Sequence, residues 1–426
     1  MVFAKEKTLD FCVNPCNKVG MQIYIKTLGC KSNRYESDRL LEDLSGEHDV
    51  FELNEGVSNF SGIKPDILIV NTCTVTHVAD RKSRQAVRSF KSKFPGVEVL
   101  VFGCGSNVGR EDYEQMVEVD RVFGDREELT EYLRRKEDYC GTGVLDDGMR
   151  TRGLIKIQDG CENFCSYCVI PLARGPEYSY PSKDILAEAR AKEAAGYKEV
   201  VLTGINIGQW KEGDMDLADL FEMLILGTSK LRFRVSSIEP KNFSKKLFRL
   251  FAGGRLCPHM HISLQSGCDD ILKRMKRNYN CQEFMEVCKK FKEAHEDMTI
   301  TTDIIVGFPG ETDEMFEKTV SFVKMAGFLK VHVFPYSRRR NTAAFMMKEQ
   351  ISDELKKLRA QRLRSVADEV SSVVKSGFLG REMEVLVEEG ALRGVTPNYL
   401  FVKLDRHNKI KPNDIISVRL DKDNIL

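Results

Sequence analysis

Short apolar runs alternate with stretches of helical periodicity along most of this 426-residue chain. Between residues 22 and 136, QIYIKTL, DILIVN and VEVLVFG are near-continuously apolar, the pattern of strands buried on both faces of a parallel sheet. Residues 33–45 and 75–93 lie between them, with helical spacing and many charges, so the pattern predicts an α/β domain. Residues 151–337 repeat the theme six times. The strand candidates are GLIKIQ (153–158), EVVLTG (199–204), RFRVSS (232–237), HMHISLQ (259–265), TITTDIIVGF (299–308) and KVHVFP (330–335). Helical stretches such as 182–195, 243–251, 282–294 and 311–325 follow the earlier ones, and the last leads through 337–341 into 352–375. Six βα units wound in one sense predict a partial (β/α)6 barrel, with an open doubly wound sheet as the alternative. After Gly377 the rhythm shortens to EMEVLVEE, YLFVKLD and IISVRLD between Gly, Pro and Asn turns. That predicts a small β-barrel of a class that often binds oligonucleotides.

Composition adds little to the fold but narrows the setting. Hydrophobic residues make up 42% and charged residues 30%, enough for a well-formed core. With 65 Lys+Arg against 64 Asp+Glu, the net charge of +1 excludes nucleic-acid binding through overall charge alone. Locally the balance breaks: residues 110–147 hold 13 acids and 6 bases, and residues 330–381 hold 12 bases and 5 acids. Such asymmetry marks either a docking face or a solvated helix face. No run approaches the roughly 20 apolar residues of a membrane span. The opening MVFAKEKTLDFCVNPC is charged where a signal peptide would be apolar. The expectation is a cytoplasmic protein with no membrane partner.

The 13 cysteines are the main source of candidate chemistry. In a long cytoplasmic chain, grouped cysteines point to metal or redox work rather than to disulfide staples. Cys257, Cys281 and Cys288 stand alone and read as packing residues. By contrast, Gly160-Cys161-Glu162-Asn163-Phe164-Cys165-Ser166-Tyr167-Cys168 places three thiols in eight residues, just after the first barrel strand. That end of a β/α barrel carries the chemistry. A structural zinc would want a fourth ligand nearby, whereas three cysteines leave one iron of a four-iron cluster open. A second set is dispersed. Cys30, Cys73 and Cys104 each come at or just after the end of an N-terminal strand, so a parallel sheet gathers them at its carboxyl edge. The neighbouring Gly29, Gly103 and Gly105 would allow close backbone approach to a bulky centre. This set reads as a second three-cysteine iron–sulfur site.

The Cys-x3-Cys-x2-Cys spacing, with Tyr167 before its last cysteine, matches the radical S-adenosylmethionine (SAM) signature. Together with Thr27-Leu28-Gly29-Cys30-Lys31-x-Asn33 and Asn71-Thr72-Cys73-Thr74-Val75-Thr76, it resembles the radical SAM methylthiotransferase family over essentially the whole chain from Met21. Asp80-Arg81-Lys82-Ser83-Arg84-Gln85, Leu202-Thr203-Gly204, Ser237-Ile238-Glu239-Pro240 and His332-Val333-Phe334-Pro335-Tyr336-Ser337 are similar to its MtaB branch. That branch acts on N6-threonylcarbamoyladenosine next to the tRNA anticodon.

The resemblance implies a division into an extension (1–20), a methylthiotransferase domain (21–140), a radical SAM domain (141–376) and a TRAM-type RNA-binding β-barrel (377–426). It also implies two [4Fe-4S] clusters. The one on Cys161, Cys165 and Cys168 would bind and cleave SAM to a 5′-deoxyadenosyl radical, and the one on Cys30, Cys73 and Cys104 would hold the methylthio group. SAM would meet Tyr167, Gly204, Glu239, Gln265, Arg277, Ile305 and Gly307. Arg338, Arg339 and Arg340, the helix at 356–364 and the terminal barrel would grip tRNA, with Tyr336 or Tyr399 as stacking candidates. A flavodoxin- or ferredoxin-type electron donor and a sulfur donor complete the expected partners. Within the family, the alternatives are a branch acting on isopentenyladenosine and one acting on a ribosomal-protein aspartate. A non-catalytic iron–sulfur or RNA-binding protein is the alternative of another class. Two features depart from the family pattern: Pro176-Glu177-Tyr178-Ser179-Tyr180 replaces a loop rich in arginine, and residues 1–20, with Cys12-x3-Cys16, precede the usual start at Met21.

Overall fold

The computed structural model describes residues 21–53, 64–136, 151–241, 243–388, 390, 392–405 and 410–426, and the Cys12–x3–Cys16 pair lies outside them. Its first sheet contains β1 (Gln22–Thr27), β2 (Asp49–Glu52), β3 (Ile67–Thr72), β4 (Glu98–Gly103) and β5 (Arg121–Val122). All pair in parallel, in the order β2-β1-β3-β4-β5. The three apolar runs are its centre. Successive residues of β3 serve opposite faces: Ile67 and Ile69 pack with Leu40 and Leu129, while Leu68 and Val70 pack with Val87 and Tyr113. Burial on both sides is why no polar alternation appears in these segments.

Eight short segments and one long strand follow: β6 (Gly153–Lys156), β7 (Gln158–Asp159), β8 (Tyr178–Ser179), β9 (Glu199–Thr203), β10 (Arg232–Val235), β11 (Ser237–Ile238), β12 (His259–Ile262), β13 (Thr299–Val306) and β14 (Lys330–Pro335). Strands β6, β9 and β10 form one parallel sheet and β11 to β14 another, with only Ser236 separating β10 from β11. Spatial order follows chain order from β6 to β14 without reversal, apart from the small β7–β8 ribbon. A doubly wound sheet would reverse at a switch point, so the strands form the one-way arc of a partial barrel. The largest core cluster fills its outer layer, around Trp210, Phe221, Phe233, Phe284 and Phe291.

The C-terminal segment forms β15 (Glu382–Val387), β16 (Arg393–Val395), β17 (Phe401–Lys403) and β18 (Ile415–Arg419), an antiparallel sheet in the order β17-β16-β15-β18. Arg234 pins it beneath the arc, donating to Pro397 O at 2.9 Å and Thr396 O at 3.1 Å. Glu199 receives Arg234 at 2.6 Å and Arg232 at 2.9 Å. Burial opposes that carboxylate's charge, and the two guanidinium groups outweigh it, holding Glu199 down to about 2. Among the described residues, no helix is long and apolar enough to cross a membrane.

Candidate active site

The dispersed cysteines meet at the carboxyl edge of the first sheet. Cys30 is the N-cap of the helix Lys31–Leu44, Cys73 follows β3, and Cys104 opens the short helix Cys104–Val108 after β4. Asn33 lies at their junction. The Cys30 thiol donates to Asn33 Oδ1 at 3.3 Å, and Cys104 Sγ lies 3.9 Å from the same oxygen. Asn33 Nδ2 donates to Asn71 Oδ1 at 2.7 Å and to Thr72 O at 2.9 Å, while Asn71 Nδ2 returns a bond to Asn33 O at 2.8 Å. The two sequence motifs are therefore stitched together by paired buried amides. Gly29, at φ +119°, lets Cys73 approach: a Cβ there would stand 3.0 Å from Cys73 Cβ.

The contiguous cysteines lie in the loop that leaves β7. Gly160 has φ +67°, and a Cβ on it would overlap Pro176 O at 1.8 Å, so the loop can fold tightly only around glycine. Phe164 also has positive φ (45°) and is 63% exposed, a costly backbone turn for an aromatic residue. Ser166 fastens the loop to its surroundings, donating from N to Met275 O at 3.0 Å and from Oγ to Arg274 O at 2.9 Å. The departing segment Pro176–Tyr180 folds back here: Glu177 accepts from Glu162 N at 3.5 Å, and Tyr178 packs edge-on against Tyr180 at 5.1 Å.

Each triad has one buried arginine aimed at a sulfur. Arg277 Nη1 donates to Cys165 Sγ at 3.2 Å and to Glu239 Oε1 at 2.7 Å, and its Nε reaches Tyr279 Oη at 2.8 Å. Arg174 Nε donates to Cys104 Sγ at 3.1 Å, and its other nitrogens reach Asn33 Oδ1 at 3.2 Å, Glu36 Oε1 at 2.7 Å and Asp159 Oδ2 at 3.1 Å. Because Arg174 ends the helix Ile170–Arg174 directly after the contiguous cysteines, it ties one triad to the other. Lys156 on β6 joins the network through Glu36 at 2.8 Å and through Asp159. Burial works against Glu36, but Arg174 and Lys156 hold it down to about 2. A cavity of about 800 Å³ opens beside this network, lined by Cys104, Glu36, Lys156, Asp159 and Arg174.

The donor sets fit large thiophilic centres. All six cysteines are free thiols, and each site offers three of them, one fewer than the closed four-ligand set of a structural zinc. Burial pushes Cys104 and Cys168 up to about 12 and Cys161 up to about 11. Such thiols become thiolates only where a strong positive centre compensates, as bound iron would. Around the contiguous triad, Asn206 keeps both amide atoms buried and unpartnered two residues beyond Gly204, an arrangement that suits a polar cofactor.

Several comparisons bear on this geometry. The Radical SAM superfamily matches residues 155–323, and the uncharacterized protein family UPF0004 matches residues 22–124. The threonylcarbamoyladenosine tRNA methylthiotransferase MtaB of Chlamydia pneumoniae is 36% identical, over 93% of this chain and 94% of that protein. The chain belongs to the radical SAM methylthiotransferase family. The tRNA-2-methylthio-N(6)-dimethylallyladenosine synthase of Thermodesulfovibrio yellowstonii is 34% identical over 95% of this chain and 96% of that protein, so the likeness spans both named substrate types. A radical S-adenosylmethionine methyltransferase, TsrM of Kitasatospora setae, shares the fold at a TM-score of 0.58 and 13% identity, covering 76% of this chain and 77% of that one.

In this methylthiotransferase the sequence-predicted cofactor residues fall into three groups. Glu239 and Arg277 form an ion pair against Cys165. Tyr167 and Ile305 share one apolar cluster with Phe308, Tyr336 and Met275. Gly204, Gln265 and Gly307 shape backbone. A Cβ on Gly204 would meet Gln158 O at 2.6 Å; Gln265 sits at φ +72° and bridges to Ile304; Gly307, at φ +69°, is covered by Lys356. Of the three consecutive arginines, Arg338 and Arg340 are exposed, whereas Arg339 is buried against Thr74 and His77, beside Cys73. Tyr336 is buried, and Tyr399 stacks on His259 at 4.2 Å, so both rings are spent on packing. Sequence reasoning did not single out Arg174, Glu36 or Asn206. The strand-end logic that found Cys104 could have flagged Asn206, which follows β9.

Proposed function

We propose that this methylthiotransferase modifies tRNA, placing a methylthio group on C2 of N6-threonylcarbamoyladenosine beside the anticodon. Cys161, Cys165 and Cys168 would hold one [4Fe-4S] cluster with SAM, and Cys30, Cys73 and Cys104 a second. When bound, these groups supply the radical that removes the C2 hydrogen and the methylthio unit that replaces it. The chain's own residues position and insulate them. Arg277, itself oriented by Glu239 and Tyr279, places positive charge at Cys165, and Tyr167, Ile305 and Phe308 wall that side against water. Arg174 does the same at Cys104 while anchored by Glu36 and Asp159.

The observation that carries the reading is Arg174: one side chain from the radical-loop helix donates to a cysteine of the other triad, which supports the two cysteine sets working together. Residues 21–140, 141–376 and 377–426 then act as methylthiotransferase, radical SAM and TRAM-type units, after an extension at 1–20. Arg338 and Arg340 supply phosphate contacts, which position tRNA without reading its sequence. A flavodoxin- or ferredoxin-type donor brings electrons, a separate donor brings sulfur, and the cytoplasm is the fitting compartment. The test is anaerobic reconstitution with iron and sulfide, then nucleoside mass spectrometry of tRNA treated with SAM and dithionite. Wild type should yield 2-methylthio-N6-threonylcarbamoyladenosine, and Cys161→Ala/Cys165→Ala/Cys168→Ala should not. Formation of 5′-deoxyadenosine with the nucleoside unchanged would refute the substrate assignment.

A further inference from the structure

Inside the arc, two histidines and a carboxylate from three neighbouring strands converge at a point that the chemistry above does not use. His261 lies on β12 between Met260 and Ile262, Asp303 on β13 beside Ile304, and His332 on β14 between Val331 and Val333. Those apolar neighbours all pack into the outer core, so the three polar side chains, which alternate with them, face the interior. Parallel pairing sets their heights: His261 is paired with Thr301, and Asp303 with His332. His261 Nε2 lies 3.0 Å from Asp303 Oδ2. One ligand atom from each of the three residues lies within 4.8 Å of the other two, and all three residues are half-buried.

A structural His–Asp pair would need only one of the two rings. His332, 5.8 Å from His261 between centroids, makes no side-chain hydrogen bond among the described residues, and Asp303 Oδ1 makes none either. No lysine or arginine forms an ion pair with Asp303 among them. Arg234, which faces the same interior from β10, is held by Glu199 at 2.6 Å. His261 has the outer support that a metal-bound imidazole needs: its Nδ1 lies 2.9 Å from Thr301 Oγ1, which is itself 3.0 Å from His259 Nε2. With the Nδ1 proton directed at Thr301, Nε2 is left bare as a ligand. Adjacent ligands on metal bonds of about 2.1 Å stand about 3.0–3.4 Å apart, so His261 and Asp303 already have that spacing.

We propose that His261, Asp303 and His332 form a binding site for one divalent first-row transition-metal ion. Two imidazole nitrogens and one carboxylate oxygen suit manganese, iron, cobalt or zinc, and three protein ligands leave further positions open toward the barrel interior. Calcium and magnesium, which prefer oxygen ligands throughout, are poorer guests. Ile305 is two residues further along β13 on the same face, so the site lies about 7 Å from the level of that residue, on side chains separate from both cysteine triads. It does not depend on which nucleoside the enzyme modifies.

The test is Mn(II) binding to the tag-free full chain with its clusters reconstituted and tRNA absent, because thiolates take Mn(II) poorly and tRNA phosphates take it readily. Loss of the electron paramagnetic resonance signal of free Mn(II) counts the bound ions. Wild type should bind one Mn(II) per chain. Asp303→Asn and His332→Gln should each weaken that binding by more than about tenfold, since losing even an outer-shell partner of a metal costs about 10–100-fold. Iron content, read on the same samples, shows that each variant is folded. Where Asp303→Asn loses iron, His332→Gln carries the test, its ring having no hydrogen bond to lose. A wild type that binds no Mn(II), or iron-replete variants that bind it as wild type does, would overturn the inference.

Discussion

The two cysteine triads reach similar surroundings by opposite routes. Cys161, Cys165 and Cys168 come from one loop, so their spacing is a local property of the chain; Cys30, Cys73 and Cys104 come from three strand ends, and only the parallel sheet brings them together. Apart from the exposed Cys30, both end with half-buried or buried thiols, and each has one carboxylate-anchored arginine within 3.2 Å of a sulfur. The contiguous site depends on backbone that only Gly160 permits, while the assembled site depends on the Asn33–Asn71 amide pair. A loop can thus carry a cluster on tight turning alone, whereas a site drawn from distant strands must also be sewn together.

The strongest way to break this parallel is to remove one triad at a time. Cys168→Ala should abolish both SAM cleavage and methylthiolation, while Cys73→Ala should abolish methylthiolation and leave 5′-deoxyadenosine formation, followed by chromatography of the reaction mixture. Next in size is Arg174→Met. It strips one of two cations from the part-buried Glu36 and leaves Lys156 at 2.8 Å, so the cost should be about 3 kcal/mol or less, the lower end for a broken buried pair. Thermal unfolding should show the loss, and iron should fall at the assembled site before the contiguous one.

Acid should act on the same joint. Glu36 is held near 2, against an ordinary 4.5, by Arg174 and Lys156, with Asp159 the other acid facing them. Its contribution is therefore full above about 4.5 and is lost as pH falls toward 2, on the order of 3 kcal/mol in all. Glu36→Gln should flatten that part of the acid-denaturation curve. The smallest effect belongs to Asn33→Ala, which leaves Asn71 Oδ1 and Thr72 O without their donor while the bond from Asn71 to the main-chain oxygen of residue 33 survives, for about 1–3 kcal/mol. A shift in urea midpoint without a change in slope would measure it.

Much of this was legible from residue order. The near-continuous apolar runs mark β1, β3 and β4 because burial on both faces leaves no other pattern, while the barrel strands showed as six shorter apolar-rich runs, of which β14 buries only Val331 and Val333. Edge strands β2 and β5 and the three-residue β16 escaped, being too short to show a period. Both triads were visible, one by spacing and the other by strand ends. Arg174 was not, since nothing in Ile-Pro-Leu-Ala-Arg says that its guanidinium crosses to Cys104, 70 residues earlier. The run Arg338–Arg340 shows the reverse failure. Sequence lends all three the same basic character, yet the turn after β14 sends Arg339 inward to Thr74.

The central claim is that the chain carries two independent iron–sulfur sites, and iron counting on triad variants tests it most directly. After anaerobic reconstitution, wild type should bind about eight iron atoms per chain, as expected for two four-iron clusters. Cys30→Ala/Cys73→Ala/Cys104→Ala and Cys161→Ala/Cys165→Ala/Cys168→Ala should each retain about half, with a low-temperature electron paramagnetic resonance signal distinct for each. A wild type that holds only about four, with one triple variant unchanged from it, would contradict the account.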